Sequence, residues 1–168
     1  MLIPARSDGS TTFSPLSFLH DRRGRVVFSA AAGLLLGLLA YAAFSGWRAA
    51  RLDELAASYR RAHAARDLDA LESLFCLDGV TPESRARLRL ALVQELDQPL
   101  AKVSVDKDAG GHLIQVAETW GRMGMRTTLP FAGAALQIEH ATSDRLTSTH
   151  LIGRDGFHYR LVWVVRAE

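Results

Sequence analysis

VVFSAAAGLLLGLLAYAAFSGW, from Val26 to Trp47, is a run of twenty-two residues without a charge. At about 1.5 Å of rise per residue it makes a helix of about 33 Å, close to the roughly 30 Å hydrocarbon thickness of a bilayer. The run therefore predicts a transmembrane helix over residues 26–47, with a polar tail over 1–25 and a folded domain over 48–168.

The flanks of the run set its orientation. Arg22, Arg23 and Arg25 precede it, whereas Arg48 and Arg51 follow it with Asp53 and Glu54 close behind. Positive flanks stay preferentially in the cytoplasm, so the tail is expected inside and the domain outside, in the periplasm if the cell is Gram-negative. A cleaved signal has a shorter apolar region ending in small residues; here the run ends at Trp47-Arg48, which favours a retained signal anchor. Ala30, Gly33 and Gly37 form a small-residue stripe, the candidate surface for pairing with a second membrane helix. The tail, rich in Ser, Thr, Gly and Pro, predicts no fold of its own.

Charge separates along the same boundary. Residues 1–48 carry five arginines against two aspartates, while residues 49–168 carry thirteen arginines and two lysines against sixteen acids. The sequence pI of about 9.0 thus belongs to the flanks of the anchor. It gives no argument for a nucleic-acid partner, which would need the excess charge on the domain itself. Cys76 is the single cysteine, so no disulfide forms within the chain, and it is expected to be a buried thiol on the apolar side of a short helix.

The domain opens with helical patterns. Leu52, Leu55, Tyr59 and Ala62 recur at spacings of three and four, predicting an amphipathic helix over 49–66 that continues from the membrane span. Asp67 is placed to cap a second helix with Leu68, Leu71, Leu74 and Phe75 on its buried side. Thr81-Pro82-Glu83 combines an N-cap, a first-turn proline and an acid at the positive helix end, predicting a third helix over 82–96 with Leu88, Leu92, Val93 and Leu96 inward. From Leu100 the period shortens, and AKVSVD, HLIQVAE, RTTLPF, ALQIEH, LTSTHLIG and FHYRLVWVV read as strands. Asp155-Gly156 marks a hairpin. Helices followed by strands predict an α+β domain with a curved, mostly antiparallel sheet.

Catalytic signatures are scarce. The histidines of the strand half, His112, His140, His150 and His158, have no short ligand spacing and no second cysteine, so no metal site is assigned. Acid–histidine pairs for proton transfer, Asp67 or Asp69 with His63 and Glu118 with His140 or His150, are nominal pairings. No GxSxG elbow or phosphate-binding loop is present, and no catalytic residue or cofactor is assigned. Arg85, Arg87 and Arg89 on the third helix are candidates for lipid-headgroup contacts, against the plainer reading that their stems cover a wet helix surface. Leu129, Pro130 and Phe131 interrupt the strands and are the first candidate for protein docking, if they are exposed.

The segment YRRAHAARDLDALESLFCLDGVTPE, Tyr59 to Glu83, resembles the opening helices of the nuclear transport factor 2-like (NTF2-like) superfamily of cone-shaped α+β domains. The order of one further helix and then strands is similar over residues 49–168. The resemblance implies a cone with a possible pocket, used in that superfamily by enzymes, small-ligand binders and scaffolds alike. The expected function is a membrane-anchored, non-catalytic protein-binding or assembly domain. Its partners are expected to be the bilayer and another envelope protein or a second copy. The alternatives are a carrier of an apolar ligand or lipid, and a cone-pocket hydrolase, isomerase or dehydratase.

Overall fold

The structure, a computed structural model, describes residues 22–110, 119–142 and 146–166, with side chains described from residue 33 onward. The tail, the expected strand HLIQVAE with His112 and Glu118, and the side chain of Ala30 lie outside the described residues. The chain divides into two compact units, Met1–Gly46 and Trp47–Glu168.

Helix α1 is one element, Arg22–Ala64, so the expected span and the expected first domain helix are not separate. Its segment Gly33–Ala64 is long and apolar enough to cross a membrane. Leu34, Leu36 and Tyr41 are 66–73% exposed, an arrangement that is costly in water and favourable in hydrocarbon. Beyond Trp47 the helix changes character, and Leu52, Leu55, Ala56, Tyr59 and Ala62 are buried at helical spacing. It ends in a Schellman turn: Arg66 takes a left-handed φ of 54°, with Arg66 N–H bonded to His63 O and Asp67 N–H to Ala62 O.

Asp67 then caps α2 (Leu68–Ser73), its carboxylate accepting from the Ala70 amide at 2.9 Å. The helix stops before Cys76. Phe75 and Cys76 instead form β1, so the expectation of a helical setting for the thiol is corrected; Cys76 is fully buried in a strand. The local pattern suits either period, and pairing with a later strand decides it. Helix α3 spans Pro82–Leu96 with Thr81 as N-cap, and buries Leu88, Leu92 and Leu96. Val93, expected on that stripe, is 41% exposed.

The remaining strands are β2 (Leu100–Asp106), β3 (Met125–Thr127), β4 (Phe131–His140), β5 (Thr147–Asp155), β6 (His158–Val162) and β7 (Val164–Arg166). A mixed five-stranded sheet runs β1-β6-β5-β4-β2, antiparallel except for β1 beside β6, and β3 pairs with β7 in a separate ribbon. The class is α+β. The β5–β6 hairpin turns at Gly156-Phe157, with Gly156 at φ 56° in the first loop position, as a type II′ turn requires. Phe157, expected within the last strand FHYRLVWVV, lies in this turn and is 74% exposed.

FHYRLVWVV is also not one strand. It breaks at Trp163, whose amide donates to Thr128 Oγ1 while its carbonyl accepts from the Thr128 amide. That exchange steers β7 off the main sheet and onto β3. One sheet face carries Val103, Leu136, Ile138, Ile152 and Leu161, which pack with the buried stripes of α1 and α3 into one core. Strand alternation puts His140, Ser148 and His150 on this same face.

Candidate functional site

Glu95 is the centre of the polar chemistry. It sits three residues after Leu92 and seven after Leu88, so the helical period carries it onto the buried stripe of α3. His150 Nε2 lies 3.0 Å from one carboxylate oxygen and 3.2 Å from the other. A carboxylate only accepts, so Nε2 carries the proton. The Tyr59 hydroxyl donates to Oε2, and Ser148 hydrogen-bonds to the same carboxylate.

Two further histidines frame this network. His63, one turn after Tyr59 on α1, donates from Nε2 to the Glu95 backbone carbonyl at 3.0 Å, which also accepts the Gln98 amide at the end of α3. His140 places Nε2 3.2 Å from Ser148 Oγ, while its buried Nδ1 has no hydrogen-bond partner among the described residues. Tyr59 and Phe75 hold the His150 ring, Phe75 edge-on with centroids 5.3 Å apart.

Protonation follows from these contacts. Burial alone raises a carboxylic acid, but the hydrogen bond and charge of His150, with the Tyr59 and Ser148 hydroxyls, outweigh it and bring Glu95 down to about 2 from 4.5. Burial, reinforced by the negative charge of Glu95 and the hydrogen bond to it, pushes Tyr59 far above its ordinary range, so it stays a neutral donor. Burial also holds His140 below 6.5; the positive charges of His63 and His150 add to that and Glu95 opposes it.

Both depressed groups make acid destabilising. Between its folded and unfolded values His140 binds fewer protons in the folded chain, so stability falls as the pH drops below 6.5. Glu95 adds stability that is complete above its unfolded value of 4.5 and is lost as the pH falls towards about 2. The Glu95 displacement corresponds to roughly 3 kcal/mol. Thermal melts of the full chain in detergent are expected to show a modest fall from pH 7 to 5 and a steep one below 4.5. A melting temperature flat between pH 7 and 3 would contradict this assignment.

The side chains of Glu95 and His150 are largely buried. Depressions lined by described residues include one of about 440 Å³ beside His63, one of about 420 Å³ beside His140, and one of about 280 Å³ near Leu55 and Tyr159. A fourth, of about 700 Å³, lies at the start of α3. None of these four is lined by Glu95, Tyr59 or His150. Among the described residues the carboxylate meets Tyr59, Ser148 and His150.

Of the nominal acid–histidine pairs, Asp67 and Asp69 do not pair with His63 among the described residues. Asp67 caps α2, Asp69 pairs with Arg89 at 2.9 Å, and His63 meets the Glu95 carbonyl. His150 finds Glu95, while Glu118 lies outside the described residues. Among the described residues no group of three or more His, Cys, Asp or Glu is placed to hold a metal ion.

The other singled-out residues scatter. Arg85 and Arg89 both bind Glu72, which is 4% exposed, so their guanidinium groups serve the α2–α3 contact. Arg87, on another side of α3, lines the 700 Å³ depression. Leu129 and Phe131 are half-buried and only Pro130 is exposed; the Pro130 carbonyl accepts from the Arg154 amide and Phe131 pairs with Gly153. Gly33 and Gly37 have open space where a side chain would stand.

Compared with protein-family models, curated proteins and solved structures, the chain matches none.

Proposed function

We propose that the chain is a single-pass membrane protein whose domain, Trp47–Glu168, is a non-catalytic binding module of NTF2-like type that docks another envelope protein outside the cytoplasm. The observation that carries the reading is the Glu95 network: its carboxylate, held far below the usual range, is ringed by Tyr59, Ser148 and His150. An enzyme of cone-pocket type needs a carboxylate or histidine within reach of substrate, and the described hydrogen bonds of Glu95 and His150 run to residues of the fold itself. The apolar helix supports the tether, since α1 up to Trp47 has the length and composition to span a bilayer. The order of helices α1, α2 and α3 before the antiparallel strands supports the NTF2-like assignment. The charge difference across the apolar run supports the external placement.

The test is crosslinking of the full chain in native membranes followed by identification of adducts. The module reading expects a recurrent protein adduct that survives stringent washing. A chain that crosslinks to nothing, while turning over a substrate in a manner that depends on Glu95, would overturn it.

A further inference from the structure

The groove at the start of α3 is the largest of the four depressions, about 700 Å³, and it is assembled from distant parts of the chain. Gly79, Thr81, Glu83, Ser84 and Arg87 contribute from one side; Met123, Met125, Arg126 and the whole of β7 contribute from the other. Two features of this lining point to a ligand.

The first is charge. Arg87, Arg126 and Arg166 are exposed, and none has an ion-pair partner among the described residues, while Glu83 is the single acid in the lining. The contrast with Arg85 and Arg89 is internal to α3, because those two arginines are paired with Glu72 and Asp69. The domain as a whole carries slightly more acids than bases, so three unpaired arginines from α3, β3 and β7 in one groove form a local positive site in a nearly neutral body.

The second is backbone. Consecutive residues of a strand point to opposite faces, so a groove lined by Val164, Val165 and Arg166 together takes in the strand itself. Among the described residues β7 bonds to β3 and to no other strand. Val164, Val165, Met123 and Met125 supply apolar, adaptable contacts between the arginines.

We propose that this groove docks an extended, acidic segment of a partner protein, laid beside β7 with alternate side chains reaching the arginines and the Met–Val floor. The chemistry is strand addition for the backbone and carboxylate–guanidinium pairing for selectivity. The assignment rests on the binding-module reading above and gives that module a site and a partner chemistry.

The test uses the full chain in phosphatidylcholine nanodiscs and a fluorescein-labelled octapeptide alternating glutamate with valine, read by anisotropy. Saturable binding is expected, at least tenfold tighter than that of the lysine–valine counterpart and weakened by added salt. Arg87→Glu and Arg126→Glu are each expected to weaken it at least fivefold, and Arg60→Glu, on the exposed side of α1, to leave it unchanged. Equal binding of the two peptides, or binding indifferent to Arg87→Glu and Arg126→Glu, would overturn the proposal. So would dihexanoyl-phosphatidylglycerol binding that is lost in Arg87→Glu when the acidic peptide does not bind, which assigns the groove to lipid. Self-association abolished by Arg87→Glu without peptide binding would equally overturn it, in favour of a second copy. Partners crosslinked in native membranes equally by wild type and by Arg87→Glu would retain the binding module and overturn the groove alone.

Discussion

Glu95→Ala is expected to lower the unfolding free energy of the domain by about 3–4 kcal/mol at pH 7, in the range measured when one partner of a buried polar or charged pair is removed. The side chains of Glu95 and His150 are 14% and 15% exposed, so water replaces little of what is lost. Truncation leaves the hydroxyl of Tyr59, which is fully buried, and the Nε2 proton of His150 without their acceptor. It also opens a cavity beside Leu92 and Leu96. Glu95→Gln keeps one acceptor oxygen and is expected to cost less, about 1–2 kcal/mol, and to flatten the acid limb of the stability profile below pH 4.5. Urea unfolding of the full chain in detergent, followed by tryptophan fluorescence, measures both. The direction separates the functional readings, because removing an active-site acid commonly spares or raises stability at the expense of activity. A loss below 1 kcal/mol for Glu95→Ala would contradict a structural role.

Gly153→Ala is expected to cost about 2–3 kcal/mol through overpacking. A Cβ at Gly153 would overlap Val162 Cγ1, stand 2.6 Å from Leu129 Cβ and 3.2 Å from the Pro130 carbonyl oxygen. Gly153 pairs with Phe131 on one side and Arg160 on the other, so neither neighbouring strand can retreat without breaking the ladder. Leu129 and Pro130 cross close to this residue, which is how the segment between β3 and β4 is seated on the sheet. Because the strain falls on that crossing, hydrogen exchange at Arg154, whose amide is bonded to Pro130, should accelerate before exchange in β2. An unchanged urea midpoint would contradict the packing described here.

Local chemistry made much of this fold readable. Thr81-Pro82-Glu83 starts α3 where the cap, the missing proline N–H and the acid agree, and the spacing of Leu52, Leu55, Tyr59 and Ala62 identifies the buried side of α1. What stayed hidden depends on partners far away in the chain. FHYRLVWVV contains no glycine or proline, and its break at Trp163 comes from bonds to Thr128. Cys76 becomes a strand residue only because Val162 lies beside it.

Glu95 had a signal that charge obscured. On a helix with many arginines it reads as one more solvated acid, yet its offset from Leu88 and Leu92 places it on the apolar stripe. Ser148 and His150 likewise share the parity of buried Ile152. A polar residue that keeps the period of a core is a candidate for a buried network, and the partner follows only from the fold. The groove was less legible still, since Arg87, Arg126 and Arg166 have no common period.

The external, membrane-tethered placement of the domain is tested most directly by thiol labelling. Cys76 is fully buried, so the native chain should resist a membrane-impermeant maleimide, whereas position 157, at the tip of the β5–β6 hairpin, is 74% exposed. In intact spheroplasts of a Gram-negative host, the Phe157→Cys chain is expected to label as fast as after lysis, with the native chain unlabelled in both. Labelling of Phe157→Cys only after lysis would place the domain in the cytoplasm and contradict the account.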